Sequence, residues 1–253
     1  MAGHSQFKNI MYRKGAQDSK RAKLFAKLAR EITVAAKSGL KDPKQNPRLR
    51  NAIINARHEN MPNDKINKAI EKANSQAESE KFEEIKYEGF ANDGIAVIIE
   101  TLTDNRNRTA SEIRQILSKN GGSLAESGAV SHGFRLLGEL FFNIEEEKKE
   151  EFLDFCMDLN IEDISEEDNK IKVVCDSKMF GNIRDTLSSK FSEPSKAKLI
   201  WEPLNPVLID DTVANKLFNI LELLEENDDV QSVYSGTKIS DDIIKKIEIL
   251  NKQ

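Results

Sequence analysis

Lys20, Lys23, Lys27 and Arg30 recur at intervals of three, four and three residues, a spacing that stacks side chains on one face of an α-helix. Arg21 and Lys37 flank them, and Leu24, Phe25, Leu28 and Ile32 fall on the opposite side. Such a face can neutralise several phosphates, and the counterions released make binding steeply salt-dependent. The same pattern also describes an ordinary solvated helix face, so the surroundings must decide. Residues 1–75 hold roughly 17 Lys and Arg against about 6 Asp and Glu, leaving roughly 21 against about 37 in the remainder. The net charge of -5 therefore conceals a basic head on an acidic body. Arg48, Arg50 and Arg57 extend the basic head, which favours contact with nucleic acid. Phosphate contacts carry no base information, and the head lacks the glycine-bearing short turn of a helix-turn-helix. Nonspecific or shape-based binding is the expectation.

A second cluster is Thr103-Asp104-Asn105-Arg106-Asn107-Arg108-Thr109, between a strand and a helix. Asn105, Arg106 and Arg108, with free backbone N–H groups, could hold an anion or a partner's carboxylate. The competing reading is a well-capped turn in which Asp104 pairs an arginine internally. Gly121-Gly122-Ser123 matches neither dinucleotide nor P-loop spacing, and Gly121 serves as a helix stop. Catalytic patterns are weak. His4, His58 and His132 are far apart, Cys156 and Cys175 form no CxxC pair, and GxSxG and HExxH are missing. The runs Glu145-Glu146-Glu147 and Glu166-Glu167-Asp168 read as solvated surface. No enzyme activity, cofactor or metal is expected.

The elements that carry these residues come in two grammars. Helices are expected from Asp18 or Ser19 to about Lys37, from Asn46-Pro47 to about Glu59, and from Pro62-Asn63 onward, with Asn74 to Glu84 as a polar linker. The chain then alternates strands and helices: strands at 95–102, 129–134, 139–144, 161–164, 171–175, 198–201, 207–209 and 230–234, with helices at 107–119, 147–159, 178–190 and 212–226. The fold class is therefore α+β, a small all-α N-terminal domain followed by two ferredoxin-like αβ domains, one inserted in the other. The expected boundaries are 1–81 for the basic helical domain with its linker, 82–134 plus 205–237 for the discontinuous domain, 135–204 for the insert, and 238–253 for a tail.

No stretch approaches the ~18 to 20 continuous apolar residues of a membrane helix, and no secretory signal is visible. Two isolated cysteines fit a reducing compartment, so a cytoplasmic location is expected, and with no heptad run of useful length a monomer is the expected state.

The strings MAGHSQFKNI, DSKRAKLFAKLAREITVAAKSG, DPKQNPRLRNAI, NMPNDKINKAI, YEGFANDGIAVIIETLTDNRNRTASEIR and KNGGSLAESGAVS resemble the YebC family, and together span most of residues 1–133. That family is labelled as transcriptional regulatory proteins, and the mitochondrial translational activator of cytochrome c oxidase subunit I is a relative. The resemblance implies a helical domain followed by two αβ domains, and DNA binding with transcriptional control, or action on the ribosome in some members. By position it marks Lys8, Arg13, Lys14, Lys20, Arg21, Lys23, Lys27, Arg48 and Arg50 as candidate contacts, and draws attention to Asn105, Arg106 and Arg108. Phe7 stands where the family usually has tryptophan, and Tyr12 where histidine is frequent. Two further departures are Asn92-Asp93-Gly94, in place of a more glycine- and proline-rich turn, and His132, where an aromatic is common. Phe7 retains a ring that can stack on a base. The expected partner is DNA, or ribosomal RNA and the ribosome. A rival expectation is that the acidic αβ body binds a basic protein.

Overall fold

The computed structural model describes residues 17–73, 82–167 and 169–238. Residues 74–81 of the linker expected at 74–84, the tail beyond 238 and the candidates Lys8, Arg13 and Lys14 lie outside them, while Glu83 and Glu84, expected in that linker, begin a strand instead.

Helix α1 (Gln17–Ser38) buries Phe25, Ile32, Ala35 and Ala36 along one side. α2 (Pro47–His58) starts as its sequence requires. Asn46 accepts the Leu49 N–H through its side chain, and Pro47 occupies the first helical position, where no N–H is needed. The helix closes on Asn60 in the left-handed region (φ 57), with Met61 N–H donating to the Ala56 carbonyl at 2.9 Å. Asparagine here fills the role that glycine usually plays in this cap. α3 (Asn63–Lys72) follows, burying Ile66 and Ala69.

Beyond the helices lie two four-stranded sheets. In the first, β1 (Glu83–Phe90) and β2 (Ala96–Thr103) form an antiparallel hairpin, Glu83 opposite Thr103 through Phe90 opposite Ala96. The turn uses Asp93 (φ 56) and Gly94 (φ 73). α4 (Arg106–Lys119) leads to the short β3 (Ser123–Leu124). The second sheet holds β4 (Phe134–Phe142), α5 (Glu146–Met157), β5 (Asp163–Glu167), β6 (Lys170–Asp176), α6 (Phe180–Lys190) and β7 (Lys196–Pro203). The chain then forms β8 (Val207–Leu208), α7 (Asp211–Glu226), β9 (Val230–Ser235) and β10 (Thr237–Lys238). Strand orders are β3-β1-β2-β9 and β5-β6-β4-β7, with β8 and β10 pairing separately in parallel.

The α+β class and the helical N-terminal region are as expected, and the second sheet has the βαββαβ order of a ferredoxin-like unit. The first sheet is not the expected βαββαβ set: β8, expected as one of its strands, pairs with β10 outside it, and the short β3 lies at its edge. β1 is a strand that the sequence hides among the charges of EEIKYEGF, while the expected strand at 129–134 is a turn, Ser131–Gly133, before β4 begins. The reason is a contact distant in sequence. The N–H groups of Val130 and Ser131 donate to the buried Glu88 carboxylate, at 2.8 and 2.9 Å, instead of to a ladder.

The chain divides into two compact units, residues 1–27, 79–135 and 201–253 in one, and 28–78 and 136–200 in the other. α2 and α3 fall in the second unit, with the ferredoxin-like sheet. In the first unit Val97 and Ile99 of β2, Ile113 and Leu117 of α4, and Leu217, Ile220, Leu221 and Leu224 of α7 form one core. In the second, Leu140, Phe142, Ile171 and Val173 pack on Phe152, Ile183 and Leu187, with Ile54 of α2 joining them. Each such side chain contributes about 1.5–3 kcal/mol when fully buried.

Candidate nucleic-acid interface

The start of α1 belongs to the first unit, and there the basic stripe meets the end of α7. The last carbonyls of a helix have no intrahelical partner and sit at the negative end of its dipole. Lys27 Nζ donates to the Glu225 carbonyl at 2.5 Å, and Lys23 Nζ to the Glu226 carbonyl at 3.3 Å. Lys20 Nζ pairs with Glu222 Oε1 at 3.0 Å, both side chains 30% exposed. Three of the four stripe cations thus hold one helix terminus. Arg21 is exposed, its guanidinium 5.3 Å from the centre of the Phe25 ring.

In the second unit both arginines of NPRLR are held by internal partners, one of them 135 residues away. Arg48 grips Glu31 with two nitrogens, Nε at 2.9 Å and Nη2 at 3.2 Å. Arg50 donates to the carbonyls of Pro43 and Lys44 and reaches Asp185 Oδ1 at 2.7 Å. Asp185 also takes the Nε of Arg184, whose side chain is only 1% exposed and donates to Asn51 Oδ1 at 2.5 Å. Asn46 is a clamp as well as a cap, its Nδ2 donating to the Ala35 carbonyl (2.8 Å) and the Leu40 carbonyl (2.7 Å). Arg30 is half-buried, whereas Lys37, Lys44, Arg57 and Lys68 are exposed on or beside the helices. Lys65, Lys68 and Lys72, on the outer face of α3, were not singled out by the sequence reading, although their three- and four-residue spacing is the same signal as on α1.

The Thr103–Thr109 cluster is tied to its own unit. Asn105 caps α4 by accepting the Arg108 N–H at 3.1 Å. Arg108 Nη2 pairs with Asp104 at 2.8 Å and with Asp229 at 2.6 Å. Asp229 Oδ2 also accepts from the hydroxyls of Thr103 (3.0 Å) and Thr109 (2.7 Å). Burial pushes the Asp229 carboxyl upward, but these donors outweigh it and hold it below its ordinary value. Arg106 remains exposed, with its carbonyl accepting the Tyr87 hydroxyl at 2.9 Å.

Besides Asp229, two further buried carboxylates were missed from sequence. For Glu88, burial raises the pKa and the Val130 and Ser131 N–H groups more than reverse it, to about 2. For Glu139, burial is likewise outweighed, by Lys198 at 2.9 Å and Lys172 at 2.8 Å, again to about 2. Both serve as internal anchors. Among the described residues, no group of three or more His, Cys, Asp and Glu side chains is arranged to hold a metal ion. No described helix is long and apolar enough to cross a membrane.

Residues 5–76 match the family model for the TACO1/YebC protein N-terminal domain, and residues 82–237 match that for the TACO1/YebC second and third domain. A crystal structure of a conserved hypothetical protein from Aquifex aeolicus is similar, at 39% identity and a TM-score of 0.76, over 88% of this chain and 93% of that one.

Proposed function

The chain belongs to the TACO1/YebC family, and we propose that it is a nucleic-acid-binding regulator of gene expression, with duplex DNA as its target and transcription as the process it controls. The observation that carries this reading is the basic stripe at the start of α1, with Arg21 and Lys23 exposed and Lys20 and Lys27 half-buried, in a chain whose remainder is acidic; the second unit adds exposed Lys44, Arg57 and Lys68 of its own. Such a surface binds through the phosphate backbone. Its role is binding, with the αβ body serving as the frame that presents the cations. Folded RNA, the ribosome included, offers the same phosphates and is the rival target.

The test is binding of the purified chain to duplex DNA and to ribosomes across a salt series, beside a variant with Lys20, Lys23, Lys27 and Arg30 changed to Gln. On this reading DNA is held at physiological salt, and the variant's log–log salt slope falls by about 3.6 if all four cations meet phosphates. Ribosome binding with only weak, low-salt DNA binding would move the protein to translation. Equal binding of both targets by variant and wild type would remove the stripe from the account.

A further inference from the structure

The end of α7 presents to α1 what a nucleic acid would present. Glu222 contributes a carboxylate, and Glu225 and Glu226 contribute carbonyl oxygens at the negative end of the helix dipole. They meet Lys20, Lys27 and Lys23, cations that a phosphate backbone would need. All of these residues lie in one compact unit.

We infer that the C-terminal turn of α7 is an autoinhibitory clasp, an internal competitor that occupies the basic stripe of α1 until a phosphate backbone displaces it. The inference rests on the proposed nucleic-acid binding. The contacts are of a kind that can be exchanged. Lys23 is exposed and makes a single bond at 3.3 Å, and the Lys20–Glu222 pair is partly open to water. Exposed and half-exposed ion pairs are weak, and salt screens them as it screens phosphate contacts. A polyanion that engages several cations at once gains more from each lysine than one helix terminus does. Affinity for nucleic acid is then lowered by the fraction of molecules in which the stripe is held.

The experiment uses the full chain, a fluorescently labelled 30-base-pair DNA duplex, and two single-charge variants. Glu222→Gln removes the carboxylate of the clasp. Glu126→Gln makes the same change in net charge at an exposed loop site elsewhere in the unit. Thermal melts confirm that both are folded. The clasp predicts that Glu222→Gln binds the duplex about two- to fivefold more tightly than wild type, with Glu126→Gln unchanged. Equal tightening in both variants would reduce the effect to net charge and overturn the clasp. No tightening in Glu222→Gln, with wild type binding normally, would also overturn it and leave the nucleic-acid reading intact. Failure of all three proteins to bind would end both readings together.

Discussion

Replacing Asp229 with Ala should destabilise the first unit by about 3 kcal/mol, and the structure says which contacts that energy comes from. The carboxylate is 6% exposed and accepts from three donors, the hydroxyls of Thr103 and Thr109 and the guanidinium of Arg108. Both threonines are fully buried. Thr109 has a fallback in the Asn105 carbonyl at 3.1 Å, and Thr103 can turn toward Thr109 at 2.8 Å. The loss at each hydroxyl is therefore partial, about 1 kcal/mol. Arg108 is 44% exposed and keeps Asp104, so its charge is not stranded and its share is about 1 kcal/mol or less. Arg108→Ala should accordingly cost about 1 kcal/mol, well below Asp229→Ala. Urea unfolding followed by amide exchange in β2 reads the unit directly. If Arg108→Ala costs as much as Asp229→Ala, the guanidinium rather than the two hydroxyls anchors the carboxylate, and the reasoning fails.

The two depressed carboxylates give acid sensitivity of definite sign. Glu88 and Glu139 have folded values of about 2 against an ordinary 4.5, so each contributes stability in full above about pH 4.5 and loses it as pH falls toward 2. Glu88→Gln should lower stability at pH 7 and shrink the drop between pH 7 and pH 3, followed by the fluorescence of Trp201, the one tryptophan; an unchanged drop would contradict the anchoring role. Asn46→Ala removes a cap and a clamp at once and should cost about 2 kcal/mol by denaturant unfolding. A Cβ on Gly39 would lie 2.7 Å from Asn46 Nδ2, so Gly39→Ala should be costly in wild type and about 1 kcal/mol less costly beside Asn46→Ala. Strict additivity in that cycle would show that the glycine is not required by the clamp.

Much of the fold was legible because its signals are local. Asn46-Pro47 started α2, the apolar spacing of Leu49, Ala52, Ile53 and Ala56 gave its buried face, and the β-branched run at 95–102 gave β2. β1 was not legible, because Glu83, Glu84, Lys86 and Glu88 mask it and one of those charges, Glu88, is buried against backbone N–H groups more than 40 residues away, a separation of 42 to Val130. The candidate site was legible only as charge. Which cations are taken up internally depends on partners 135 residues away for Arg50 and 202 for Lys20, and no periodicity reports such pairings.

On the proposed function, nucleic acid meets the helical, basic part of the chain and not its acidic body. Acetylation of lysines, read by mass spectrometry with and without saturating duplex DNA, tests it most directly. Protection is expected at Lys20, Lys23, Lys27, Lys44 and Lys68, with exposed Lys148 and Lys178 of the αβ body unchanged. Protection centred on Lys148 and Lys178, with the helical lysines unaffected, would contradict it.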